Sequence, residues 1–134
     1  MPRDGGAWLL YCRAGFEPEC AEETVAVASA SGQPVYARTE RGTAIVQVSR
    51  ADGESLGAAP ACRDLIFARQ SLLLLADLDA LDPRDRLSPV ADALAQRGVR
   101  VNDLWVESAD SDAGAELRAL ARGLEAAAVP ALRK

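Results

Sequence analysis

The sequence predicts an α+β fold. Three observations carry that expectation. Short apolar runs rich in β-formers alternate in places. Between the first two lies a segment with helical spacing that opens on acidic residues and a proline. Two of the strand-like runs are separated only by Arg41-Gly42, the length of a tight hairpin.

Residues 1–7 are polar and glycine-bearing, an N-terminal stretch expected to fray. Residues 8–13 read as a short apolar strand, and Ala14-Gly15-Phe16 as the turn after it. Glu17 begins a helix, with Pro18 in the first helical position, where its missing N–H costs nothing. Glu19, Glu22 and Glu23 fall in the early turns and favour the positive end of the helix dipole. Ala21, Val25 and Ala28 recur at helical spacing, and Gly32 is a plausible stop. Residues 35–40 and 43–49 read as the hairpin strands, with Ala44, Val46 and Val48 on one face. Residues 51–61 are rich in glycine, proline and small residues, with room for a short helix. Residues 64–78 are ambiguous, because their composition suits a helix while Leu72 to Leu75 suit a strand covered on both faces. A helical or irregular lead-in followed by a strand over about 70–78 gives the order strand, helix, strand, strand, helix, strand. That is the ferredoxin-like βαββαβ unit, expected over residues 1–79.

A polar, proline-bearing connector follows at 80–87 and opens a second module over 80–134. Ser88 is a good N-cap with Pro89 after it, Leu87, Val90, Ala91 and Leu94 form a stripe, and Gly98 closes the helix. Leu104, Val106 and Ala109 suggest a strand. Asp110, Ser111 and Asp112 start a last helix, whose stripe is Leu117, Leu120, Ala121 and Leu124 and which Pro130 ends. One strand cannot satisfy its own backbone. Either it joins the first sheet or the sequence stops partway through a domain, leaving an exposed edge able to pair with another copy.

Composition narrows the function. Of 134 residues 49% are hydrophobic and 26% charged, an ordinary globular balance. No segment has the roughly 20 apolar residues of a membrane helix, and the N-terminus predicts no secretory signal. Cys12, Cys20 and Cys62 show no Cys-x-x-Cys spacing, so free thiols in a cytoplasmic protein are expected, with no metal site. The chain has no histidine, which removes Ser-His and Cys-His nucleophile pairs. Catalysis by this chain alone is therefore not expected. Its net charge is −5, so RNA binding would need a local basic patch or another domain. Of 15 basic residues only Lys134 is a lysine, a bias that suits phosphate contacts or simply a GC-rich genome.

The segment Leu9-Leu10-Tyr11-Cys12-Arg13-Ala14-Gly15-Phe16-Glu17-Pro18-Glu19-Cys20-Ala21 resembles the opening of the 23S rRNA 2′-O-ribose methyltransferase M family. Leu65-Ile66-Phe67-Ala68-Arg69-Gln70 matches a second family motif. Asp82-Pro83 to Pro89, Val106-Glu107-Ser108-Ala109-Asp110, Glu116-Leu117 and Val129-Pro130 are similar to later ones, in the same order. The resemblance implies a ferredoxin-like domain over 1–79 and an incomplete THUMP domain over 80–134, together an RNA-recognition segment. In the family a Rossmann-like domain follows, which binds S-adenosylmethionine and uses a Lys-Asp-Lys-Glu set on the ribose of a 23S rRNA cytidine. No position here matches those catalytic residues and no glycine-rich cofactor turn is present, so the sequence reads as part of a longer polypeptide. The alternative is a free-standing ferredoxin-like module for ligand binding or dimerisation.

Arg13, between the first strand and the first helix, is a candidate RNA contact, since free N–H groups at a helix start attract anions. Glu17 and Glu19 work against that, and a solvated loop arginine is the competing reading. Arg69 either meets RNA or pairs with Asp64 or Asp77 where the modules join. Arg118 and Arg122, one helical turn apart, continue to Arg133 and Lys134 as the best basic patch, or as a solvated helix face. Asp77, Asp79, Asp82 and Asp85 lack calcium-loop spacing and read as a solvated connector. Trp8 and Trp105 could stack on bases, but Trp105 alternates with Leu104 and Val106 as an edge-packed residue would.

Overall fold

A computed structural model of the chain describes residues 6–78, 81–98, 100–101, 104–116, 118 and 121–123. Strand β1 (Ala7–Cys12) leads through a short turn into helix α1 (Glu17–Ala30), then β2 (Val35–Thr39), β3 (Ile45–Arg50) and β4 (Ala68–Leu74). The sheet order is β2-β3-β1-β4 and every neighbouring pair is antiparallel. This is the strand arrangement of the ferredoxin-like fold.

Alternation builds the sheet. In β1, Trp8, Leu10 and Cys12 are buried and the residues between them are not. Trp8 faces Val48 and Leu10 faces Val46 across the ladder, so the side chains of β1 and β3 stack on one side. Burying each of these large apolar side chains contributes about 1.5–3 kcal/mol. Helix α1 covers that side with Cys20 and Ala28, and the core is completed by Leu56, Leu65 and Ala68.

The helix row that turns fully inward is Glu17, Cys20, Thr24 and Ala28; of the expected Ala21, Val25, Ala28 stripe, Ala28 is buried, Ala21 packs at the edge of the core and Val25 is half-buried. Thr24 is tolerated inside because its hydroxyl donates to the Cys20 carbonyl at 2.8 Å. The helix closes as Gly32 indicates. Gly32 takes φ +79°, its N–H reaches the Ser29 carbonyl, and the Gln33 N–H reaches back to the Ala28 carbonyl at 2.9 Å.

Three expectations change. The β2–β3 turn takes residues 40–44 rather than two, with Gly42 at φ +87° and buried Ala44 at φ +63°. The second helix of the βαββαβ order is reduced to a single 3₁₀ turn at Cys62–Asp64. The long segment around it covers the sheet instead: Leu56 and Leu65 are buried, the Trp8 indole donates to the Gly57 carbonyl at 2.8 Å, and the Ser71 hydroxyl donates to the Pro60 carbonyl. Proline and glycine in 51–61 disfavour a helix there, and loop carbonyls serve as the partners a helix would not offer. Strand β4 accordingly starts earlier and ends sooner than 70–78.

In the second module, α2 (Leu87–Gln96) and α3 (Asp112–Glu116) form, and Arg118 and residues 121–123 are helical as well. The N-cap of α2 is Arg86; the side-chain acceptor at its start is Asp85, which takes both the Ser88 N–H at 3.1 Å and the Ser88 hydroxyl at 2.5 Å. These bonds, the hydroxyl's first, hold the Asp85 carboxyl below its ordinary range. Gly98 ends the helix at φ +63°. Ser111 caps α3 by accepting the Gly114 N–H at 3.1 Å. The strand expected at Leu104 to Ala109 does not form, and Trp105 is 71% exposed rather than packed at an edge. Among the described residues no strand of the sheet is paired with it, and a strand needs a ladder to persist. The open sheet edge on which self-association was expected is thus missing among the described residues. Leu117, Leu120, Leu124 and Pro130 lie outside them.

Candidate nucleic-acid interface

Glu17 governs the turn where Arg13 sits. Its side chain is fully buried, and its carboxylate accepts N–H groups from Gly15 (2.8 Å), Gly42 (2.8 Å) and Ala44 (3.2 Å). Burial pushes this carboxyl up; the donors of Gly42, Gly15, Glu17 itself and Ala44 outweigh burial and hold it below its ordinary range. The start of α1 is therefore filled by the protein's own anion. It offers no open cradle for a phosphate, which is the opposing effect of Glu17 weighed at Arg13, and leaves the exposed guanidinium of Arg13 as the cation of this corner. Among the described residues, this occupied turn is where a strand passes through a glycine directly into an α-helix. With its N–H donors taken by Glu17, that turn does not fit the phosphate- or carboxylate-bearing end of a cofactor such as S-adenosylmethionine.

Arg13 itself is exposed, with its guanidinium 5.8 Å from the centre of the Phe16 ring. Phe16 in turn stacks on Phe67, with ring centres 6.1 Å apart. Glu23 fixes the other side of this corner by accepting the Ile66 and Phe67 N–H groups at 2.8 and 3.0 Å. The two sequence motifs that open the chain and precede β4 are thus neighbours in space. Cys12 pairs with Ala68 in the sheet, so Arg13 and Arg69 lie at the same end of it.

Arg69 pairs with neither Asp64 nor Asp77. Its guanidinium meets Asp110 at 2.5 Å, 41 residues away. Arg118 approaches the other oxygen of Asp110 at 3.9 Å. Asp110 therefore gathers two candidate arginines, one from β4 and one from beyond α3. All three side chains are more than half exposed, so the cluster is screened and adds little to stability. Arg122 is exposed nearby in sequence, and Arg133 and Lys134 lie outside the described residues. The bridging role of Asp110 had no local signal, because the contact crosses between modules.

A family model for the RlmM ferredoxin-like domain matches residues 6–72, half of the chain. The chain belongs to the RlmM family. Ribosomal RNA large subunit methyltransferase M of Xanthomonas campestris pv. campestris (strain B100) is 49% identical over 126 residues, which cover 94% of this chain and 36% of the relative. The same protein of Xanthomonas oryzae pv. oryzae (strain PXO99A) is 48% identical and that of Xanthomonas axonopodis pv. citri (strain 306) 47% identical, over the same shares. The chain thus spans about a third of the length of these curated relatives. The RlmM match falls on β1 through most of β4, the part whose sheet order and core are described above. Among the described residues no helix is long and apolar enough to cross a membrane.

Proposed function

We propose that this chain is the RNA-targeting segment of an S-adenosylmethionine-dependent methyltransferase acting on a cytidine 2′-hydroxyl of 23S ribosomal RNA in the cytoplasm. The observation that carries this reading is similarity over 94% of the chain to proteins named ribosomal RNA large subunit methyltransferase M. In it, residues 80–134 are the opening part of a THUMP domain and methyl transfer belongs to the remainder of the polypeptide. RNA contacts come from Arg69 and Arg118 at Asp110, from Arg122 and, further along the sequence, Arg133 and Lys134, and from Arg13 at the corner of the sheet. The spatial convergence of Arg69 and Arg118 supports a shared phosphate-binding surface.

The test is methyl transfer from labelled S-adenosylmethionine to unmodified 23S rRNA. The full-length polypeptide containing this chain is compared with one lacking residues 1–134. Full-length protein is expected to methylate, and the shortened one to bind the donor yet lose at least a hundredfold in methyl transfer. Undiminished transfer without residues 1–134 removes the targeting role.

A further inference from the structure

The turn into α1 and the segment entering β4 meet in an apolar patch that faces water. Ile66 is 85% exposed and Phe16 40% exposed, while Phe67, stacked on Phe16, is half-buried. Ile66 is held on a fixed backbone. Both oxygens of Glu23 accept its N–H, and Leu65 before it and Ala68 after it belong to the core. Single exposed apolar residues are ordinary on a protein surface. Two of them together, one on a pinned backbone, form the kind of anchor that fills a pocket in a partner.

The surroundings favour a protein occupant over RNA. The flanking residues carry exposed Arg13 and Arg63 against exposed Glu19 and Asp64, so the patch itself has no excess of positive charge. Phe16 already stacks with Phe67 and carries Arg13 over its ring, so it is not an open platform for a base. The size of the patch then favours a tethered partner. Two exposed apolar side chains fall well short of the roughly 1,000 Å² that a separate protein needs, whereas a covalently linked one acts at an effective concentration in the millimolar range. Asp110 meets Arg69, and Arg118 reaches the same carboxylate at 3.9 Å. Arg69 is three residues from Ile66, at most about 11 Å of extended chain. The closing stretch of the described residues is thereby brought to the end of the sheet where the patch stands. Nearly two-thirds of each relative's length lies outside the match to this chain.

We propose that the Phe16, Ile66 and Phe67 corner is an intramolecular docking surface, on which an apolar pocket of the polypeptide beyond residue 134 seats Ile66. The inference rests on the reading that methyl transfer belongs to the remainder of a longer polypeptide, and it adds the surface through which the targeting segment is held against that remainder. Arg13 stands at the rim of the corner and keeps the RNA contact proposed above. A targeting segment held at a fixed angle presents RNA to one place, whereas a freely jointed one does not, so a small anchor near the junction has a direct effect on transfer.

Photo-crosslinking in the full-length polypeptide containing this chain tests the proposal. With Ile66→p-benzoylphenylalanine, irradiation and peptide mass spectrometry are expected to give a cross-link within one polypeptide from position 66 to residues beyond 134. The same replacement at Ser31, exposed at the far end of α1, is expected to give roughly a tenth of that yield or less. If the replacement at 66 itself disturbs docking, Ala14→p-benzoylphenylalanine, in the turn beside Phe16, is expected to reach the same region. Adding Ile66→Lys is then expected to lower that yield about tenfold, because an ammonium is not buried in an apolar pocket. Cross-links from position 66 to a second copy, to added 23S rRNA or to nothing overturn the docking surface, as does an Ala14 yield that Ile66→Lys leaves unchanged. Loss of methyl transfer on removing residues 1–134 keeps the targeting reading standing in each of those cases. Undiminished transfer on that removal, with the cross-link from position 66 intact, sinks the targeting reading and leaves the docking surface.

Discussion

The carboxylate of Glu17, at the start of α1, accepts the backbone N–H of Gly42 at 2.8 Å across 25 residues of sequence. The same group holds the Gly15 and Ala44 N–H groups, so one side chain ties the β1–α1 turn to the β2–β3 turn. Ala44 is locked further by its carbonyl, which accepts the Cys12 N–H at 3.0 Å. This explains how a buried non-glycine residue keeps a φ of +63°: both its backbone groups are bonded from other elements.

Glu17→Ala is therefore expected to cost at least about 3 kcal/mol, since it leaves buried N–H donors without an acceptor. Glu17→Gln is expected to cost less, because its amide oxygen still accepts. The pH dependence has a definite sign. The folded-state carboxyl lies below its ordinary range, so its contribution is fully present above the unfolded value of about 4.3 and disappears as pH falls through the lower folded value. Urea unfolding followed from pH 7 down to pH 3 is expected to show a steeper acid loss for the unsubstituted chain than for Glu17→Gln. Equal slopes would mean that Glu17 titrates alike in both states.

Glu23 makes a second tie, between α1 and the segment entering β4. Both its oxygens lie within 2.9 Å of the Ile66 N–H, which fixes an isoleucine that is 85% exposed. Glu23→Ala is expected to cost about 1–2 kcal/mol. Amide exchange at Ile66 and Phe67 should accelerate far more than exchange in β1. Protection unchanged at those two amides would show that the 3₁₀ turn alone holds the segment.

The three thiols differ in environment. Burial, then the neighbouring Cys20 and Glu17, pushes the Cys12 thiol up to about 12, and burial also raises Cys20. Cys62 is exposed in the 3₁₀ turn. A thiol reagent at pH 8 is expected to label Cys62 rapidly and to reach Cys12 and Cys20 only on unfolding. Rapid native labelling of Cys12 would mean that the corner formed by Phe16 and Phe67 opens readily.

Much of the first module was legible because it is local. The alternation of Trp8, Leu10 and Cys12 and of Val46 and Val48 gives strands that bury one face, and Pro18 and Gly32 bracket the helix. What escaped reading depended on distant partners. The length of the β2–β3 turn follows from Glu17, and the loop that replaces the second helix is stable because Trp8 and Ser71 bond to its carbonyls. Leu104 and Val106 have strand-like spacing, but among the described residues no strand is laid down over them, since spacing alone does not build a ladder. Arginines alone suggested a basic patch, while Asp110, which draws two of them together, looked only like a helix start.

That last residue supplies a prediction with opposite signs for stability and binding. Asp110 is 64% exposed in its side chain and holds Arg69 and Arg118 in an open, screened cluster. Asp110→Asn should shift stability by no more than about 1 kcal/mol, as exposed ion pairs do. It also frees two guanidinium groups and removes a negative charge from the surface assigned to phosphate. RNA affinity of the chain at low salt is expected to rise several-fold, with a steeper salt dependence, because more counterions are released on binding. Adding Arg69→Ala to Asp110→Asn should cancel most of that gain, since the two residues act through one contact. If Asp110→Asn instead weakens RNA binding, Asp110 positions the two arginines for RNA rather than competing with it for them.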